Sequence, residues 1–340
     1  MKELTQVLKI VLNKSWMLSD ESVEKTLRED VLVVHRALNE RTKKASRILL
    51  EDIFSSSNII EIGLVPFAET VKEGLKKGIE SKKKWLLCID ADVLVSKEGI
   101  KKLFENACLM HENVFEIQGL ILDKFFGILR PAGNHLYRVE LCHLALNKIP
   151  DSLRPETDMM NQMALDGYPR MQCDALVGIH DFEQHYLDIY KKCFLQAKKH
   201  RTHRKELRRF WADNTAKDFD FVVALLGEMA GSIYENEITV DAGEIYRISK
   251  SVINIDWLPE KSKNYSNSDL VKYVKEKIDS HDYKSVKNFQ EKMFPQSRWN
   301  RIVDFKILRS QNRPSFLKKV VYKIGLLLEK VGAQLKLADL

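Results

Sequence analysis

In KWLLCIDADVLV, residues 84–95, an unbroken apolar run at 85–89 leads directly into Asp90-Ala91-Asp92. A short continuous apolar run closed by polar residues reads as a parallel strand buried on both faces. In open α/β sheets, ligands sit at the carboxyl ends of such strands. Two carboxylates one residue apart at that position suit a hard divalent cation, which takes oxygen ligands and commonly shares them with phosphate. Upstream, residues 31–37 (VLVVHRA) read as a first buried strand and residues 59–65 as a second. Helical spacing marks the segments that follow them, with Ala45, Ile48, Leu49, Ile53 and Phe54 in the first and Phe67, Val71, Leu75 and Ile79 in the second. The order is therefore βαβαβ, which predicts a parallel sheet with right-handed crossovers.

Downstream, the pattern continues with a helix at 99–110, a strand at 114–122 and a short strand at 133–138. A helix at 155–167 opens with Pro155 at a first helical position, carries Glu156 and Asp158 in its first turn and ends at Gly167. A strand at 171–179 then runs into His180-Asp181, and a long basic helix is predicted over 183–211. Residues 219–229 read as a buried helix, and 259–300 as polar, lysine-rich helices. Residues 314–337 form an amphipathic stripe flanked by lysines, which would dock on the body of the protein or lie on an anionic membrane surface.

The bulk properties narrow the class. The chain has 340 residues, 44% of them apolar, with 55 basic and 48 acidic side chains and a formal net charge of +7. That length and apolar fraction allow a large core without staples. The mild basic excess suits anionic ligands. Five scattered cysteines with no C-x-x-C pair exclude a disulfide framework or zinc knuckle, and predict reduced, mostly buried thiols in a cytoplasmic protein. No apolar stretch is long enough to span a bilayer. No nucleic-acid module signature is present, so no nucleic acid is expected as a partner. The basic run from 191 to 209 reads as a solvated helix face, or alternatively as a surface for diphosphate, anionic lipid or nucleic acid.

Three ligand-bearing pairs, Asp90/Asp92, Glu156/Asp158 and His180/Asp181, fall at the ends of predicted elements of one sheet. Their order and spacing resemble the GT-A glycosyltransferases, in particular the large inverting family 2. The βαβαβ lead-in to Asp-x-Asp resembles that family's nucleotide-sugar half. The segment E-T-D-M-x(7)-G over 156–167, followed by Tyr168, resembles its acceptor-side signature. Two departures stand out: Pro155 replaces a usual Glu, and Asn161-Gln162 replace a usually basic stretch. GIHDFEQ, residues 178–184, resembles the stretch where some bacterial members complete the metal shell with a histidine.

The resemblance covers roughly residues 31–200 and implies an α/β GT-A fold, Rossmann-like and mostly parallel, with a helical C-terminal extension. It divides the chain into an extension at 1–30, a catalytic domain at 31–212 and a mainly helical region at 213–340. It implies a divalent ion, Mn²⁺ or Mg²⁺, held by Asp90, Asp92 and His180. It also implies a nucleotide-sugar donor contacted by His35, Arg36, Asp90 and Asp92, and a general base at Glu156 or Asp158. The expected reaction transfers a sugar to a hydroxyl of a glycan or lipid-linked glycan in bacterial surface glycan synthesis, in the cytoplasm or at the inner face of the membrane. Two alternatives stay open: a haloacid-dehalogenase-type phosphatase with Asp90 as nucleophile and Asp92 as acid/base, and a non-catalytic α/β protein binding nucleotide or membrane.

Overall fold

The computed structural model describes residues 20–199, 204–235, 254–262 and 265–278, and residues 245, 247, 248, 251 and 252 between them. The first of these segments alternates helix and strand. It runs α1 (Asp20–Asp30), β1 (Val31–Arg36), α2 (Lys43–Glu51), β2 (Ile59–Ile62), α3 (Phe67–Ser81), β3 (Trp85–Asp90), β4 (Val93–Val95) and α4 (Lys97–Leu109). There follow β5 (Glu116–Asp123), β6 (Ile128–Arg130), β7 (Asn134–Arg138), α5 (Val139–Leu146), α6 (Pro155–Leu165), β8 (Arg170–His180) and α7 (Tyr186–Lys199). Beyond these lie α8 (Arg204–Asn214), α9 (Asp220–Ile233) and α10 (Asn267–Lys277).

The strands form one sheet in the order β2-β1-β3-β7-β5-β8-β4, with β6 paired to β5 off this path. The βαβαβ lead-in is as expected: β1 pairs in parallel with both β2 and β3. β5 and β8 are also parallel to each other. The sheet is mixed elsewhere, because β7 runs antiparallel between β3 and β5, and β4 antiparallel beside β8. The reason lies in the connections. Parallel neighbours need a crossover helix, whereas the short turn after β5 reverses the chain into β6, and β7 continues in that reversed direction along β5.

Side-chain alternation divides the core into two layers. Val31 and Val33 of β1, with Trp85, Leu87 and Ile89 of β3, pack with α1, α2, α4 and α10. Leu32 and Val34, with Leu86 and Cys88, pack with α3, α5 and α6 on the other face. This is the period of two that a pleated strand imposes, and it makes the central strands apolar on both faces. α4 starts where Ser96 Oγ accepts from the Gly99 N–H at 3.0 Å, a side-chain N-cap.

A further core lies beside the sheet. Phe125, Phe126 and Ile128 pack with Tyr190 and Phe194 of α7, Leu207, Phe210 and Trp211 of α8, and Phe221 and Val223 of α9. The boundary expected at residue 212 thus passes through one packed cluster. Trp211 Nε1 also donates to the Phe125 carbonyl at 2.5 Å.

The sequence reading missed several elements. α1 belongs to the body through buried Val23 and Leu27, and β4, β6 and α5 are short or lack a clear apolar period. The basic helix expected over 183–211 is described as α7 and α8, with 200–203 outside the described residues. The amphipathic stripe at 314–337 also lies outside them, as does most of the extension at 1–30. Among the described residues no helix is long and apolar enough to cross a membrane. All five cysteines are free thiols, and all but Cys108 are buried.

Candidate active site

The chain between Asp90 and Asp92 is held from several sides by backbone groups and small hydroxyls. The Ala91 N–H donates to the Arg36 carbonyl at 2.9 Å and the Asp90 N–H to the Gly133 carbonyl at 3.0 Å. From α2 and the residue before it, Thr42 Oγ1 donates to the Ala91 carbonyl at 2.7 Å and Ser46 Oγ to the Val93 carbonyl at 2.9 Å. Gly133 sits at φ +61, and a Cβ there would lie 2.6 Å from Val93 Cγ2. Only glycine meets both demands.

The carboxylate of Asp90 is bound by the neighbouring strand. Arg36 Nε lies 2.7 Å from Asp90 Oδ1, and Arg36 Nη1 donates to Glu156 Oε1 at 2.6 Å. Glu156 also accepts from the Tyr137 hydroxyl at 2.9 Å, and its Oε2 lies 3.2 Å from His135 Nε2. His135 Nδ1 is in turn 3.0 Å from Glu116 Oε1. Burial by itself would raise the Glu156 pKa, but the Arg36 guanidinium and His135 outweigh it and hold the carboxyl below its usual range.

The resemblance gave Glu156 a base role, and the structure shows its carboxylate engaged by three partners. A carboxylate already gripped by an arginine, a tyrosine and a histidine, with a depressed pKa, is a poor proton acceptor. Asp158, half-buried in the same first turn, accepts from Ser152 Oγ at 2.6 Å. Neither acid lines the cavity described below.

Asp92 enters a different group. One ligand atom each from Asp92, His180 and Asp181 lies within 4.8 Å of the others, an N/O set of the kind Mn²⁺ or Mg²⁺ accepts. The sequence reading had grouped Asp90 with Asp92 and His180. Asp90 is not in this cluster, and its Oδ1 lies 2.7 Å from Arg36 Nε. Asp181 adopts φ +66, a left-handed conformation uncommon for a residue with a side chain, and its N–H donates to the Asp92 carbonyl at 3.2 Å. Such conformations persist where surrounding structure enforces them, often at functional sites.

His180 is oriented by Asp123. Its Nδ1 lies 2.9 Å from Asp123 Oδ2 and 3.0 Å from Asp181 Oδ2, so Nε2 is the atom that faces Asp92, at 3.3 Å. A carboxylate behind a histidine is the usual way of fixing which ring nitrogen is presented to a metal. Asp123 Oδ2 also accepts from Arg130 Nε at 2.8 Å, while its Oδ1 accepts from the N–H groups of Phe125 and Phe126 at 2.9 and 3.0 Å. Burial opposes the charge on His180, yet Asp181, Asp92 and Asp123 together hold its pKa well above the ordinary imidazole value. Lys192 on α7 completes the cluster. Its Nζ donates to Asp92 Oδ2 at 2.9 Å and to Asp181 Oδ1.

A cavity of about 320 Å³ opens at the carboxyl ends of β1, β2 and β3. Its walls include Arg36, Ala37 and Leu38 after β1, Gly63, Leu64 and Val65 after β2, Asp90 and Asp92 after β3, and Lys191, Lys192 and Lys199 from α7. A Cβ on Gly63 would sit 2.1 Å from the Ala37 carbonyl oxygen, so the tips of β1 and β2 meet backbone to backbone. Lys199 lies beside like charges. Burial first, then Arg154, Lys192 and Arg130, push its pKa down to about 8.

Of the predicted contacts, Arg36, Asp90 and Asp92 line this cavity. His35 does not: the alternation that turns Arg36 toward Asp90 turns His35 to the opposite face of β1. There it is fully buried, neither ring nitrogen is hydrogen-bonded among the described residues, and burial lowers its pKa to about 4. Sequence reasoning missed Asp123 and Arg130 altogether and saw Lys192 only as part of a basic run. The run itself divides: Lys191, Lys192 and Lys199 face the cavity, whereas Arg204 and Arg208 pair with Glu228 of α9.

Comparisons with known proteins give weak structural likenesses. No protein-family model matches the chain, and no curated protein does. Among solved structures, it is similar to the mannosyltransferase PcManGT from Pyrobaculum calidifontis in complex with GDP-mannose and Mn²⁺. The identity is 12%, the match covers 84% of this chain and 90% of that one, and the TM-score is 0.37. It is similar to A197 from STIV at 14% identity over 45% of this chain and 85% of that one, with a TM-score of 0.33. A glycosyltransferase involved in the glycosylation of the major capsid of PBCV-1 matches at 14% identity over 44% of this chain and 92% of that one, with a TM-score of 0.28.

Proposed function

We propose that the chain is a glycosyltransferase that binds a nucleotide-sugar donor in the cavity beside β1, β2 and β3 and transfers the sugar to a hydroxyl acceptor with the help of a divalent ion. The observation that carries this reading is the pairing of opposite chemistries in one cavity. Asp92, with His180 and Asp181 behind it, offers oxygen and nitrogen ligands to a cation. Lys191 and Lys199 also line the cavity and offer ammonium groups, and Lys199 has a depressed pKa among other cations, so its charge calls for an anion. A diphosphate bridged to a metal satisfies both at once. The space of about 320 Å³ falls within the range of small-molecule sites.

Each residue has a stated part. Asp92, His180 and Asp181 would hold the ion, which when bound neutralises charge developing on the leaving diphosphate. Asp123 presents His180 Nε2 to it. Arg36, braced by Glu156, fixes Asp90 at the cavity wall, where that carboxylate can meet the donor's ribose. Glu156 is in this scheme a positioning residue. The phosphatase alternative needs Asp90 free as a nucleophile, and Arg36 engages that carboxylate instead.

A thermal-shift panel of UDP, GDP, CDP and ADP, each with and without Mn²⁺, tests the reading. Ligand at 100 times its dissociation constant stabilises by about 2.7 kcal/mol. The expected result is stabilisation by one nucleoside diphosphate that requires Mn²⁺ and disappears in Asp92→Ala. Stabilisation by none of the four overturns it.

A further inference from the structure

The position among Asp92, His180 and Asp181 is already held by a cation, and that cation is a side chain of the protein. Lys192 Nζ donates to Asp92 Oδ2 at 2.9 Å and to Asp181 Oδ1, and stands 3.4 Å from His180 Nε2. These are the same three residues whose ligand atoms fall within 4.8 Å of one another. An ammonium and a divalent ion make the same demand on the two carboxylates, and the repulsion between two cations so close together keeps them from being satisfied together.

The partners differ in their freedom to move. His180 is pinned by Asp123, and Asp181 is fixed by its left-handed backbone and its N–H bond to the Asp92 carbonyl. Lys192 is different. Its side chain is 26% exposed, it ends a flexible four-carbon stem, and it also lines the adjoining cavity beside Lys191 and Lys199. When something must give way, it is the lysine.

We propose that Lys192 is the resident counter-ion of the metal site: it neutralises Asp92 and Asp181 while no divalent ion is bound, and an incoming ion displaces it into the cavity, where the donor's diphosphate receives it. The proposal rests on the donor-site reading above. It makes metal and diphosphate mutually reinforcing, since the ion frees the lysine that the diphosphate uses, and the diphosphate removes the competitor of the ion. It also gives Lys192 two anionic partners in turn, so its charge is compensated before and after the exchange.

The test is direct binding of Mn²⁺ to the full chain without nucleotide, followed by the electron paramagnetic resonance signal of the free ion. Lys192→Met is expected to bind Mn²⁺ about tenfold more tightly than the wild type, because like charges at close range disfavour association strongly. Lys191→Met removes the same charge one residue away, and its affinity is expected to stay near that of the wild type. Equal or weaker Mn²⁺ binding in Lys192→Met overturns the proposal.

A measurement on the unmodified protein guards against a misfolded variant. Acylation of lysines, read by peptide mass spectrometry, is expected to spare Lys192 in chelator and to label it once Mn²⁺ is added. Labelling of Lys192 to the same extent in both states overturns the exchange. If Mn²⁺ binds and Lys192 stays put, this inference alone falls. If Mn²⁺ does not bind to either protein, the metal site falls, and both readings with it.

Discussion

Asp90 and Asp92 stand one residue apart, yet they belong to two different kinds of structure. Asp90 lies at the head of a buried chain of alternating charge that runs through Arg36, Glu156 and His135 to Glu116. Each member is held by strands of the sheet or by the first turn of α6. Asp92 meets a lysine from a helix at the cavity's edge and a histidine at a strand end. A planar guanidinium fixed on a central strand makes a scaffold, whereas an ammonium on a flexible stem makes a replaceable partner. The two carboxylates of the Asp-x-Asp tripeptide thus face different partners. The chain turns between β3 and β4, and that turn sends one carboxylate to Arg36 and the other to His180 and Lys192.

Breaking the frame should have the largest effect on stability. Arg36→Met leaves Asp90 and the buried Glu156 without their shared cation. Removing one partner of a buried ion pair typically costs about 3–5 kcal/mol, which urea unfolding measures. Breaking the other arm should spare the fold and remove function. Asp92→Ala is expected to lower transfer on the order of 10²- to 10³-fold, as loss of a placed electrostatic group does, with an unfolding midpoint close to the wild type. If Asp92→Ala destabilises as much as Arg36→Met, the contrast between the two arms is wrong.

Glu156→Gln sharpens the point about the base. It keeps the shape but loses the charge facing Arg36 and His135, and should cost about 1–3 kcal/mol of stability while leaving transfer measurable. Abolished transfer in a fully stable Glu156→Gln protein would return the base role to it.

The smallest expected effect is a pH dependence. The Lys199 pKa is pushed down to about 8 by burial and neighbouring cations. A bound diphosphate favours the charged lysine and so raises that pKa. The contribution of Lys199 to nucleotide affinity is then full below pH 8 and fades as pH rises through and above it. Titrations from pH 7 to 9 should show this weakening, and Lys199→Met should flatten it.

Much of this was legible in the chain. The apolar runs of β1 and β3 announce strands buried on both faces, and the helical spacing between them announces the crossovers. Asp92 and His180 could be picked out because they end such strands. What could not be read were partners brought together over long separations. Nothing near Glu156 in sequence says that Arg36, 120 residues away, will bind it. Lys192 looks like any other lysine of a basic run until α7 places it 2.9 Å from Asp92, 100 residues earlier. Asp123 carried no signal, since a carboxylate ending a strand before a turn is commonplace. β4 has only three residues and α5 is apolar nearly all round, so neither shows a period long enough to recognise.

Asp123 closes the turn after β5 with one oxygen and steadies His180 with the other. The same connection carries Phe125 and Phe126 into the core beside the sheet. Here a change in the length of the 124–127 connection would rotate the carboxylate that sets the imidazole. The length of this connection is therefore tied to the orientation of the His180 imidazole. Grafting or shortening it would shift an imidazole 57 residues further along the chain.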